Sequence, residues 1–174
     1  MESENLETMK KFKLRDYEEI VGSAIIDELR FLAKKLKGLS IQHVNSTRYG
    51  GGVAEMLNRI VPLFKEMGVD ISWDVIGGNS AFFDVTKKFH NALHARQEDI
   101  GEKDFEIYAR TAEEYNRKTK ITGDVVYIHD PQPIALIQQK RDNNRKWLWR
   151  CHVDVSNPNE MVWAFLLKYI EKYD

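Results

Sequence analysis

The stretch Leu39-Ser40-Ile41-Gln42-His43-Val44-Asn45-Ser46-Thr47-Arg48-Tyr49-Gly50-Gly51-Gly52-Val53-Ala54-Glu55-Met56-Leu57 decides the fold. Through Val44 it alternates apolar and polar side chains, the period-two signature of a strand. Asn45-Ser46-Thr47 stops the strand, and Arg48-Tyr49-Gly50-Gly51-Gly52 forms a loop. From about residue 53 to 67, Ala54, Leu57, Ile60, Val61 and Phe64 fall at helical spacing, and Gly68 closes the helix. Strand, glycine loop and helix together open a βαβ unit.

The rest of the chain repeats that alternation. Upstream, the spacing of Ile20, Val21, Ile25, Leu29, Leu32 and Leu36 predicts one helix over residues 17–36, ended by Lys37-Gly38, with residues 1–11 expected to fray. Downstream, residues 69–76 read as a second strand, ended by Gly77-Gly78-Asn79. Helical patterns over 80–93 and 103–120 flank a polar turn, in which Phe82, Phe83, Phe89, Tyr108 and Tyr115 read as core. Residues 124–129 are a third strand, 134–139 a short helix and 147–153 a fourth strand, with Cys151 buried inside it. Ser156-Asn157-Pro158 is expected to cap a last helix that runs through Tyr173. The expected fold class is α/β, a single domain over 1–174 with a Rossmann-like parallel sheet and helices on both faces.

Bulk composition narrows the function. Hydrophobic residues at 43% supply a real core, and a net charge of −1 gives no global field to draw in nucleic acid or an anionic membrane. The single cysteine excludes an internal disulfide. The polar, acidic start lacks a secretory core, and no apolar run approaches the roughly 20 residues of a membrane span. The expectation is a cytoplasmic protein with no nucleic-acid or membrane partner.

In an open parallel sheet, ligands bind beyond the carboxyl ends of the strands. The polar clusters Asn45–Gly52, Gly77–Asn79, His129–Pro133 and His152–Asn157 all fall on that edge. Gly50, Gly51 and Gly52 remove every Cβ just before a helix, so backbone N–H groups and the helix dipole can meet a phosphate. A plain flexible turn is the alternative. No Gly-Lys-Ser/Thr follows, so the loop is not a P-loop. As a dinucleotide fingerprint it is incomplete, because Glu55 takes the third glycine position and Gly77-Gly78 stands where an acidic ribose ligand belongs. His129-Asp130 and His152-Val153-Asp154 invite a metal reading, but nothing places the four groups at ligand spacing, and no metal is expected. Asp130 and His152 at adjacent strand ends read instead as groups that bind sugar hydroxyls or polarise a reacting centre. A satisfied, partly buried His152 is the alternative. Pro131 and Pro133 stiffen the loop after Asp130. The basic stretch from Lys140 to Lys146 reads as a solvated loop.

The runs Ile41–Leu57, Trp73–Gly78, Val126–Pro133 and Trp147–Asp154, in that order and spacing, resemble archaeal trehalose synthases. These are retaining glycosyltransferases of the GT-B fold, and the resemblance spans nearly the whole chain from about residue 12. It implies transfer of glucose from a nucleotide-diphosphate glucose to glucose, with no metal or other cofactor. It implies that Gly50, Gly51 and Gly52 face the donor diphosphate, that His152 contacts the donor sugar near the reacting carbon, and that Asp130 holds hydroxyls on the acceptor side. Asn45, Arg48 and Tyr49 would line the acceptor wall. A GT-B site lies between two domains, so the resemblance covers the N-terminal, acceptor-side half. The expected partners are sugar, nucleotide-sugar and the missing C-terminal domain, without which this chain is expected to be inactive. A non-catalytic sugar- or nucleotide-binding module, a nicotinamide-type Rossmann domain, and a homodimer formed through the open cleft wall are the competing readings.

Overall fold

A computed structural model describes residues 13–141 and 144–174. Two helices come first, α1 (Leu14–Val21) and α2 (Ser23–Lys35). The one helix expected over 17–36 is broken by Gly22, which sits at φ 83°, ψ 158°, a conformation essentially reserved for glycine. Its N–H donates to Glu18 O at 2.8 Å and closes α1. The expected fraying of residues 1–11 lies outside the described residues.

Then follow β1 (Ser40–Asn45), α3 (Gly52–Glu66), β2 (Asp70–Val75), α4 (Ser80–Leu93), α5 (Glu102–Lys118), β3 (Val125–His129), a 3-10 helix (Ile134–Gln139), β4 (Lys146–Arg150) and α6 (Glu160–Ile170). Among the described residues the four strands form one parallel sheet in the order β2-β1-β3-β4. Alternation along the strands divides their side chains between two layers. Ile41 and Ile71 pack with Ala33 of α2 and with Leu57 and Val61 of α3. Val44, Val126, Ile128 and Trp147 pack on the other side with Phe82 and Phe89 of α4, Tyr108 and Tyr115 of α5, and Leu166 of α6. Helices therefore cover both faces, as the Rossmann-like expectation requires. Phe83 departs from the expected core and is 38% exposed.

The ends of the elements have local causes. Asn79 caps α4 by accepting from Phe82 N at 2.9 Å. Asn159, not Ser156-Asn157-Pro158, caps α6, accepting from Met161 N and Val162 N at 3.1 Å. β4 stops at Arg150 and not at Val153, because its partner β3 ends at His129 and the next residue leaves the ladder. Cys151 is thus half-buried just beyond the strand, its Sγ 3.4 Å from Val153 O. In the basic stretch, Lys140 pairs with Asp174 at 2.9 Å; Asp142 and Asn143 lie outside the described residues.

Gly22→Ala should lower stability by about 1–3 kcal/mol, the cost of forcing a side chain into that backbone region. Gly77→Ala, where the added Cβ meets nothing within 4 Å and φ is ordinary, should be nearly neutral. Urea unfolding of both variants checks the pair.

Candidate functional site

Asp130, the first residue after β3, adopts φ 64°, which non-glycine residues rarely do. Three hydrogen bonds hold it there. Its N–H donates to Arg150 O at 2.9 Å, its carbonyl accepts from Trp149 Nε1 at 3.0 Å, and its Oδ1 accepts from His152 N at 2.7 Å. Below it, the hydroxyls of Tyr108 and Tyr115 donate to Pro131 O at 2.7 Å and Gln132 O at 3.1 Å. The loop is held by these hydroxyls as well as by its proline rings.

A cavity of about 370 Å³ opens at this carboxyl edge. Its lining includes Gly50, Gly51 and Gly52 of the turn, Asp130, Gln132 and His152, and also Asn45, His90 and His129. Gly50 and Gly51 have φ of 73° and 82°, so the turn into α3 demands glycine. Gly51 is the N-cap of α3 and supplies no side-chain cap, leaving the first N–H groups of the helix open to an anion. A larger depression of about 600 Å³, between Ala95–Asp99 and Asn157–Asn159, touches the strand-end clusters only at Asn157, whereas the smaller cavity brings three of them together.

Asn45, Gly50, Gly51, Gly52, Asp130 and His152 converge here, whereas Arg48, Tyr49 and Asp154 do not. Asn45 lines the cavity, its Oδ1 accepting from Trp73 Nε1 at 2.8 Å and its Nδ2 donating to Thr47 O at 2.9 Å. Arg48 lies outside it, with its guanidinium 4.2 Å over the Trp73 ring and bonded to Trp73 O at 2.9 Å. Tyr49 is 68% exposed on the outer side of the loop. Asp154 turns away to accept from Ser156 Oγ at 2.6 Å. Asp74, inside β2, accepts from Gln42 Nε2 at 2.8 Å.

A histidine array behind His152 is not legible in the sequence. His152 Nε2 lies 2.9 Å from His129 Nδ1, and His129 Nε2 lies 2.8 Å from His43 Nδ1. The ring centroids lie 5.1–5.2 Å apart with the planes tilted by 19–27°, so the hydrogen-bonded imidazoles lie edge to edge, and Tyr127 sits beside His43 and His129. β1 and β3 are in register with His43 opposite Tyr127, which brings residues 86 apart in sequence onto one face. Pattern reading missed His43, His90 and Gln132. The one signal was the matching strand parity of His43 and His129. The nitrogens are at hydrogen-bonding distance and face each other pairwise; among the described residues no group of three or more His, Cys, Asp or Glu converges on a point.

Burial sets the acidities. It lowers His43 to about 4. It lowers His129 to about 3, with repulsion from His43, His152 and Arg150 acting in the same direction. His152 is lowered by burial too, against the pull of Asp130. His90 is lowered by burial and by His94. Burial raises Asp130, and the hydrogen bond from His152 N works against it. At neutral pH the cavity therefore presents neutral imidazoles.

The fold and the site together define a class: a Rossmann-like α/β domain with a ligand cleft at its carboxyl edge, consistent with one half of a GT-B glycosyltransferase. Residues 43–174 match the family model described as trehalose synthase, N-terminal domain. The chain belongs to that family. It is 45% identical over 166 residues to the trehalose synthase of Pyrococcus horikoshii, covering 94% of this chain and 40% of the relative. Identity to the trehalose synthase of Rubrobacter xylanophilus is 40%, over 92% of this chain and 40% of that protein. A trehalose phosphorylase of Pleurotus pulmonarius is 27% identical, over 92% of this chain and 25% of its own length. The chain thus spans about 40% of the length of the trehalose synthases it matches. No helix among the described residues is long and apolar enough to cross a membrane.

The buried histidines make a pH prediction. Their folded pKa values lie below the ordinary 6.5, so the unfolded chain binds protons more readily once pH falls below 6.5. Stability should be flat above that point and fall below it, to about 4 for His43 and about 3 for His129, by up to about 1.4 kcal/mol per pH unit for each ring. Urea midpoints at pH 7 and pH 5 measure the drop, and His129→Phe should reduce it.

Proposed function

We propose that this domain forms the acceptor-side wall of a trehalose-synthesising site, at which glucose passes from a nucleotide-diphosphate glucose to glucose with retention. The observation that carries the reading is the one cavity lined both by the glycine turn at the start of α3 and by Asp130 and His152. The first N–H groups of α3, at Gly52 and beyond, receive the donor diphosphate and stabilise the negative charge that grows on it as the glycosidic bond breaks. His152 meets the donor sugar beside the reacting carbon. Asp130, braced by its three hydrogen bonds, holds hydroxyls of the acceptor. Fixing the two sugars in line supplies the entropic part of the catalysis. Positive charge on the sugar in the transition state is better tolerated beside neutral imidazoles and a carboxylate than beside cations.

The remaining length of the trehalose synthases fits a second domain that closes the cleft and holds the nucleotide. The reading calls for no metal ion. Arg48 and Tyr49, outside the cavity, have no part in it.

Two variants test the assignment. Gly52→Ala adds a Cβ that meets no protein atom within 4 Å, so the fold should tolerate it. The methyl group should nonetheless crowd the bound diphosphate and weaken nucleotide-glucose binding, read by calorimetry with unfolding as the control. In the full-length protein, His152→Ala should slow glucosyl transfer by roughly tenfold or more, a loss of about 1.4 kcal/mol of transition-state stabilisation. Transfer at the parental rate in His152→Ala would remove His152 from the site.

A further inference from the structure

The histidine array has a consequence beyond the contacts of His152 itself. Both links join an Nδ1 to an Nε2: His43 Nδ1 to His129 Nε2 at 2.8 Å, and His129 Nδ1 to His152 Nε2 at 2.9 Å. A neutral imidazole carries one N–H, so one of its nitrogens donates and the other accepts. If His152 donates from Nε2, His129 must accept at Nδ1 and donate from Nε2, and His43 must accept at Nδ1 and hold its own proton on Nε2. If His43 donates from Nδ1, the same reasoning puts the proton on Nδ1 of all three. Only these two arrangements satisfy both hydrogen bonds with neutral rings.

At the cavity end of the array, Nδ1 of His152 is the ring nitrogen that neither link uses. In the first arrangement that nitrogen offers a lone pair; in the second it offers an N–H. His43 does not line the cavity, yet its proton position and that of His152 are tied together through His129. We propose that His129 and His43 are positioning residues: the three rings always carry their proton on the same nitrogen, and this shared order sets whether His152 accepts from or donates to the bound sugar.

The three imidazoles are near coplanar, tilted by 19° and 27° from one ring to the next, which aims each N–H at the in-plane lone pair of its neighbour, and Tyr127 sits beside His43 and His129. The charged groups that act on it are Arg150, which disfavours a cation on His129 and His152, and Asp130, which favours one on His152. The inference rests on the reading that His152 faces the sugar, but its test needs no sugar. Failure of sugar binding would therefore leave it standing, and failure of the coupling would leave the sugar site standing.

The experiment is long-range 15N–1H correlation on the chain labelled at histidine nitrogen, at pH 7, where a protonated and a bare ring nitrogen have widely different 15N shifts. The expected result is one common tautomer for His43, His129 and His152, or fast exchange with the same averaged proportions at all three. Different tautomers among these rings, or an imidazolium at any of them, would overturn the proposal. His129→Gln gives a second readout. Its amide can reach the position of Nε2 toward His43 but not that of Nδ1 toward His152. His152 should then lose its tie to His43 and take its own tautomer ratio, with the circular dichroism unchanged. An unaltered His152 spectrum in a folded His129→Gln protein would count against the coupling, and the parental measurement decides the matter if that variant does not fold.

Discussion

The left-handed turn at Asp130 is the constraint on which the site depends. A non-glycine residue at φ 64° is strained, and it persists because backbone and side chain together bind the segment that leaves β4. The turn ends β3, so β4 loses its partner and ends as well. The chain after Arg150 is then free to bend over the sheet edge, with the N–H of His152 taken by Asp130. This bend puts the His152 ring against His129.

The same edge gathers two kinds of polarity. On one side the glycine turn offers unbonded N–H groups of a helix start, which favour an anion. On the other, neutral imidazoles and the braced carboxylate of Asp130 favour uncharged hydroxyls and a partial positive charge. A sugar phosphate has both ends.

Much of this was legible in the sequence, and the misses share physical causes. The strand–glycine–helix run, the parallel alternation and the strand-end clusters follow from periodicities of two and 3.6, which are local properties. The break at Gly22 was not read, because the apolar spacing continues across it while a single residue changes the backbone direction. Arg48 and Tyr49 sit within the loop that lines the cavity but project from its other side, toward Trp73 and solvent. Which way a loop residue points depends on neighbours from β2, and those are set only by packing.

The sequence by itself determined the alternation of strands and helices, the glycine turn and the polarity of the strand ends, since each rests on residues close together in the chain. It also determined the family, through motifs whose order and spacing are linear properties. Only the tertiary structure decided that His43, His129 and His152 form one hydrogen-bonded array. Their contact requires the register of β1 on β3 and the bend after β4, and both are set by long-range pairing that no local pattern encodes.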